Sequence, residues 1–233
     1  TDVPAAGADT GVGLRILTAD NPPLNFSRDG EITGLATEVV RELIERTATR
    51  GAIEMTSWPE GYRALSGDAI VALFSTVMTA ERKELFQWVG PLVTQDTNLY
   101  ALKGSGIEIA NLDQARKAGT IATVTKYYSE QMLADENFTD TESCPDRATS
   151  LRRLLDGKVK LVVASNTEMP AALETMDVPA DAVQNAFTLS TDLVYIAFSK
   201  GTPPALVARW QQALDAMKRD GTFASIYARW FPA

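Results

Sequence analysis

The chain contains no histidine and a single cysteine, Cys144. Without histidine, Ser-His-Asp and Cys-His catalysis and histidine-built metal sites are excluded. One cysteine permits no intrachain disulfide and no CxxC motif, so neither a metal site nor a cofactor is expected. Lys and Arg number 22 against 30 Asp and Glu, a net charge of −8. A nucleic-acid surface needs a basic face, so no nucleic-acid partner is expected. No apolar run approaches the roughly 18 residues that a membrane-spanning helix requires. Neither G-x-G-x-x-G nor G-x-x-x-x-G-K-[ST] occurs, which sets a nucleotide-binding reading aside.

What is present is ordinary for a globular protein: 45% hydrophobic and 22% charged residues. With 233 residues the chain suffices for one large domain or two lobes. Residues 1–12, mostly Ala, Gly, Asp and Thr, are expected to be a flexible leader left after removal of a signal peptide.

Short apolar strands alternate with amphipathic helices, the pattern of an α/β fold with sheets flanked by helices. Residues 14–18, 53–58 and 70–75 read as strands, the last fully buried. A Pro-rich loop, Asn21-Pro-Pro-Leu-Asn-Phe26, leads to a turn at Asp29-Gly30. Leu35, Val39, Val40, Leu43 and Ile44 then mark one face of a helix over residues 35–46. After Pro91 the pattern restarts, with strands over 98–103, 120–124, 159–164 and 193–199 and helices over 112–118, 128–134 and 147–156. A long helix over 203–219 carries Leu206, Val207, Trp210, Leu214 and Met217 on one stripe and ends at Gly221. Two such series predict two lobes, residues 13–96 plus 192–233 and residues 97–191, with crossovers near 94–100 and 188–194. A cleft between lobes is where a small ligand binds.

Chemistry concentrates in the stretch from Phe74 to Arg82. A buried strand ends in the hydroxyl residues Ser75 and Thr76, and a short helix starts near Thr79 with Arg82 in its first turn. Strand ends and helix starts expose unpaired N–H groups, and an arginine fork beside them completes an anion site. The same spacing also fits a capped helix with a solvated arginine. Trp58, at the end of its strand, reads as pocket wall or core, whereas Trp88, Trp210 and Trp230 read as packing.

Thr79-Ala-Glu-Arg82, followed by Phe86 and Pro91, resembles the T-x-E-R-x-x-x-F…P segment of family 3 periplasmic solute-binding proteins. Pro22-Pro23-Leu24 with Asp29-Gly30 and Gly34-Leu35 is similar to the P-P-F…D-G…G-F opening of that family. Leu155-Asp-Gly-Lys-Val159 is similar to its L-x-x-G-x-V-D segment, and Trp210 to Leu214 through Asp220-Gly221 and Trp230 to its closing helices. The resemblance spans residues 13–231. It implies a type II periplasmic-binding fold of two α/β lobes, each a mixed sheet flanked by helices, joined by two crossovers and completed by the C-terminal segment.

The resemblance also implies roles. Arg82 matches the arginine that pairs with a ligand carboxylate, a task suited to a bidentate guanidinium. Val77 stands where the family usually has Ser or Thr and retains only its backbone N–H. Asn21 stands where the family stacks an aromatic residue on the ligand. Tyr128 and Ser129 match the helix start after the strand at 120–124, with Lys126 beside them. Ser165, followed by Asn166, stands where the family places an acidic residue for an α-amino group, and a buried ammonium without a countercharge is costly. The expected ligand therefore carries a carboxylate but is not held as a standard α-amino acid, unless Asp20 or Asp192 meets the amine instead.

The function implied is that of a periplasmic, monomeric solute-binding protein that hands a small ligand to the membrane permease of an ABC importer. Two alternatives stay open. One is a dehydratase-type enzyme on the same fold, resembling cyclohexadienyl dehydratases, for which Glu60, Glu81 and Lys126 are the charged candidates. The other is a ligand-sensing domain. With no histidine and no convincing acid–base pair, an enzyme is not expected.

Overall fold

The computed structural model describes residues 13–125 and 127–231. The leader expected over residues 1–12, and Lys126, lie outside the described residues. The chain forms two compact units. Among the described residues, unit 1 takes 13–20, Asn25–Gly90 and 195–231, and unit 2 takes Asn21–Leu24 and Pro91–Val194. The passages between them fall at residues 90/91 and 194/195, where the sequence pattern places them at 96/97 and 191/192.

Unit 1 opens with β1 (Arg15–Thr18) and a hairpin of β2 (Phe26–Arg28) and β3 (Glu31–Thr33). Its turn residues Asp29 and Gly30 both take positive φ, 52° and 82°, the handedness that suits the twist of a two-residue hairpin. Helix α1 (Leu35–Arg46) buries Leu35, Val39, Val40 and Leu43, the stripe expected from its periodicity. Then come β4 (Ile53–Met55), α2 (Trp58–Leu65), β5 (Val71–Val77) and α3 (Ala80–Lys83). Strand β1 is parallel to both β4 and β5, so the carboxyl ends of all three lie along one edge.

The strand expected over 53–58 is corrected here: it stops at Met55, and Trp58 instead opens α2. Ser57 Oγ accepts the Glu60 N–H, and Pro59 stands in the first turn, where a missing N–H costs nothing. Gly61 lets this helix approach β5: a Cβ there would stand 3.0 Å from Leu73 Cδ1 and 3.1 Å from Thr56 Cγ2.

Strand β6 (Gln87–Leu102) runs without interruption through Pro91, where the sequence pattern predicts a restart. It passes into unit 2, which continues with α4 (Leu112–Arg116), β7 (Ile121–Val124), α5 (Tyr128–Asp135), β8 (Thr141–Cys144), α6 (Arg147–Leu155), β9 (Leu161–Ser165) and α7 (Glu168–Thr175). The order is β6-β9-β7-β8, with β9 antiparallel to β6 and β7 parallel to both β9 and β8. Every residue of β9 is buried. Leu161 and Val163 pack on one face with Ile121 and Leu133, while Val162 and Ala164 pack on the other with Leu151 and Leu173. A strand covered on both faces has no polar alternation, and so reads as an unbroken apolar run. Cys144 lies in this core, where burial pushes its thiol up, away from the reactive thiolate.

Strand β10 (Val183–Phe198), longer than the segment expected over 193–199, returns to unit 1. Helices α8 (Pro204–Asp220) and α9 (Thr222–Trp230) close the chain. Trp210 is fully buried in unit 1, edge-on to Phe198 with ring centroids 5.3 Å apart, and its Nε1 donates to Thr49 Oγ1 at 2.9 Å. Among the described residues no helix is long and apolar enough to cross a membrane.

The junction of α8 and α9 is tied to the last turn of α1. Gly221 takes φ 86°, a left-handed cap, and Asp220 beside it accepts from Thr222 N at 2.9 Å and from Arg46 Nη1 at 2.8 Å. Hydrogen bonds from Thr222, with Arg46 next to them, hold the Asp220 carboxyl at about 2. A depressed carboxylate contributes stability above its unfolded value of 3.8 and loses it as pH falls towards about 2. Asp220→Asn is therefore expected to flatten the acid limb of a urea-unfolding series over that interval. An unchanged acid limb would show that this junction plays no part in acid lability.

Candidate functional site

In unit 1 the carboxyl edge of the parallel strands gathers Trp58, Ser75, Val77 and Arg82, four of the residues expected at a site. Parallel α/β sheets bind ligands beyond these strand ends. Arg82 is half-buried, and its guanidinium carbon lies 5.3 Å from the centroid of Trp58 and 5.2 Å from that of Tyr62. Its Nη1 donates to the Val77 carbonyl at 3.2 Å, and its N–H caps onto Thr79 Oγ1 at 3.2 Å. No carboxylate pairs with it among the described residues. Val77 thus takes part through its carbonyl, which steadies the arginine.

The aromatic seat is itself supported. Tyr62 meets Trp58 at 5.9 Å and Phe86 at 5.6 Å, Phe86 meets Trp88 at 6.0 Å, and Trp88 meets Tyr195 at 5.8 Å. This run of rings is buried on its Phe86 side and fixes the faces offered to Arg82. Ser75 adopts φ 61°, a left-handed conformation that costs a β-region residue about 1–3 kcal/mol. The buried Asn25 holds it there: Ser75 Oγ donates to Asn25 Oδ1, and Asn25 Nδ2 donates to the Ala19 carbonyl. Asn25 and Tyr62 were not among the residues expected at the site. The i, i+4 spacing of Trp58 and Tyr62 would have pointed to Tyr62 had α2 been recognised.

In unit 2, β7 and β9 run parallel, so the segment after Val124 and the turn after Ser165 share an edge. Tyr128 opens α5 and is 51% exposed, and Ser129 is only 8% exposed, with no hydrogen bond from its hydroxyl within the described residues. Ser165 Oγ accepts the Glu168 N–H at 3.0 Å while Glu168 Oε2 accepts the Ser165 N–H at 3.3 Å, a reciprocal cap for α7. The Ser165 hydroxyl is thus committed to the helix start, a role its sequence reading did not include. Asn166 pairs with the backbone of Asp96, accepting through Oδ1 at 3.0 Å and donating through N at 2.9 Å, which leaves its side-chain NH2 unbonded among the described residues. Asn21 falls in the short stretch that groups with unit 2, its carbonyl accepting from Leu24 N at 2.9 Å. Lys126 lies outside the described residues.

Arg147, also unforeseen, links the two segments. Its guanidinium contacts both Glu168 oxygens at 3.2 and 3.3 Å, donates to the Val163 carbonyl at 2.8 Å, and sits 5.7 Å from the Tyr127 ring.

Residues 14–233 match the family described as bacterial extracellular solute-binding proteins, family 3. The chain belongs to that family. This family 3 solute-binding protein is 22% identical over 202 residues to the L-cystine-binding protein TcyA of Bacillus subtilis (strain 168), covering 86% of this chain and 73% of TcyA. Its structure is similar to a histidine kinase sensor domain with similarity to periplasmic binding proteins, with a TM-score of 0.77 and 19% identity over 95% of this chain and 97% of that one. It is also similar to the ancestral amino acid-binding protein AncCDT-1, a precursor of cyclohexadienyl dehydratase, with a TM-score of 0.72 and 22% identity over 94% and 95% of the two chains. At such identities the likeness shows the fold alone. That fold is the type II periplasmic-binding architecture expected from the sequence.

In this family 3 protein Glu60, one of the carboxylates weighed for proton transfer, is tied into the start of α2. Glu60 accepts from Ser57 Oγ at 2.7 Å and Thr56 Oγ1 at 3.3 Å, and these bonds hold its carboxyl below the usual range. A carboxylate kept ionised and tied into a helix cap is poorly suited to donate a proton near neutrality. Among the described residues no group of three or more Cys, Asp or Glu side chains is placed to hold a metal ion.

Proposed function

We propose that this solute-binding protein is the periplasmic capture component of an ABC importer, taking up a small carboxylate-bearing solute and delivering it to a membrane permease. The observation that carries the reading is Arg82. A guanidinium offers five N–H donors, and the Arg82 side chain spends one of them on Val77. It is half-buried, seated on two rings and unpaired with any carboxylate among the described residues. A partly desolvated charge held in place without a counterion is best matched by an anion that arrives, and the fork geometry favours a carboxylate. That relatives bind cystine and other amino acids supports a small ligand of this chemistry.

We further infer that the solute is not held as a standard α-amino acid at unit 2. The end of β9 presents the Asn166 NH2 beside a Ser165 already bonded within its own turn, and the adjacent carboxylate, Glu168, is paired with Arg147. Two acids weighed as counterions for an amine are Asp192, which accepts from Ser190 Oγ at 2.9 Å, and Asp20. Loss of hydration raises the Asp20 carboxyl against the Ser27 hydrogen bond, which makes it a less ready counterion. The histidine kinase sensor domain and the dehydratase precursor name the rival readings. The capped, ionised state of Glu60 favours binding over catalysis.

A thermal-shift screen of the standard amino acids beside their 2-oxo acids and aromatic acids tests this reading. The largest upward shift is expected from an amine-free carboxylate. Strong stabilisation by an ordinary amino acid, lost when its amine is removed, would show that an ammonium is recognised after all.

A further inference from the structure

We propose that the Arg147–Glu168 pair is the specificity-determining element of unit 2, cancelling two opposite charges at its ligand-facing edge. The proposal rests on the reading of that edge as part of a solute site. Arg147 and Glu168 are 10% and 18% exposed, so both charges are withdrawn from water yet still reach the edge. Arg147 Nε and Nη2 both meet Glu168 Oε1, at 3.3 and 3.2 Å, and Nη2 meets Oε2 at 3.3 Å. The guanidinium stands between the Tyr127 ring and the Ser165–Glu168 turn, which are the two segments of unit 2 expected to meet a solute.

Stability alone gives little reason for such a pair. A desolvated ion pair roughly breaks even against apolar residues of the same volume. The turn is held independently by the Ser165–Glu168 N–H bond, the Ser165–Thr167 hydroxyl contact at 3.0 Å and the double bond between Asn166 and Asp96. What the pair does provide is a defined local charge. Freed of Arg147, the Glu168 carboxylate would sit beside Ser165 as a counterion for an ammonium. Freed of Glu168, the Arg147 guanidinium would face the same edge as a counterion for a second carboxylate. Paired, they leave neutral groups such as the Asn166 NH2 and the Ser129 hydroxyl beside the cancelled charges, and these suit a carbonyl or hydroxyl of the solute.

The two halves of the pair must therefore push specificity in opposite directions, which a purely structural pair would not do. Calorimetry on Arg147→Gln, Glu168→Gln and the double variant, against the standard amino acids, their 2-oxo acids and small dicarboxylic acids, separates the cases. Arg147→Gln is expected to raise the affinity for amino acids relative to 2-oxo acids by roughly tenfold or more. Glu168→Gln is expected to raise dicarboxylates relative to monocarboxylates by roughly the same factor. The double variant, neutral again, is expected to keep the wild-type order of affinities. An order unchanged in the single variants, or shifted the same way in both, overturns the proposal. If Arg147→Gln does not fold, an unchanged order in Glu168→Gln overturns it alone. Arg82→Ala, measured in parallel, keeps the two readings apart. Binding that survives Arg82→Ala while the single variants reorder the panel refutes the Arg82 reading and supports the pair. Binding lost in Arg82→Ala with the order otherwise fixed does the reverse. A panel in which no compound binds any variant overturns both.

Discussion

Arg82→Ala is expected to weaken binding of the cognate solute by about 2–5 kcal/mol, a loss of roughly thirtyfold to several thousandfold. The size follows from what is removed: a guanidinium already positioned by Val77, Trp58 and Tyr62, so that little rotamer freedom remains to be lost when the carboxylate docks. Arg82→Lys keeps the charge but loses the planar fork and the ring contacts, and should recover only part of the loss. Because Arg82 makes no ion pair among the described residues, its removal should lower the unfolding midpoint of the free protein only by what the Val77 bond and the two ring contacts supply. Calorimetry that finds equal affinity for wild type and Arg82→Ala would remove the arginine from the site.

The second large effect is on stability. Trp210→Ala is expected to cost unit 1 about 3–5 kcal/mol, because a fully buried indole leaves a cavity that its neighbours only partly fill. The ring spans from Phe198 at the end of β10 to Thr49 just after α1, so its loss also removes the N–H that donates to the Thr49 hydroxyl. Urea unfolding followed by circular dichroism should show a lower midpoint with a similar slope. A midpoint within about 0.5 kcal/mol of wild type, the usual range for surface positions, would mean that this packing is not critical.

The features of this fold that were legible in the sequence are those written in local pattern. The unbroken apolar runs of β5 and β9, the stripes of α1 and α8 and the left-handed cap at Gly221 each follow from one segment's own residues. The short helix that carries Arg82 beyond the end of β5 was readable for the same reason. Helix α2 and helix α7 escaped notice although each begins with a Ser-x-x-Glu cap, Ser57 to Glu60 and Ser165 to Glu168. In both cases the cap follows so closely on a strand that the apolar run masks it. Pro91 misled in the other direction. A proline contributes no N–H and reads as an end, yet β6 carries it on an exposed position and continues. Arg147 could not have been singled out at all, since its partner Glu168 is twenty-one residues away and the two meet only once α6 and α7 flank β9.

The seat of Arg82 has one more consequence. A guanidinium carries its charge at every pH a protein survives, and an indole has no proton to exchange in that range. Had a histidine or an acid held the anchor instead, each swing in acidity would have loosened or tightened the grip. On the proposed reading, an anchor built from an arginine resting on rings leaves capture sensitive to acidity chiefly through the solute's own carboxylate.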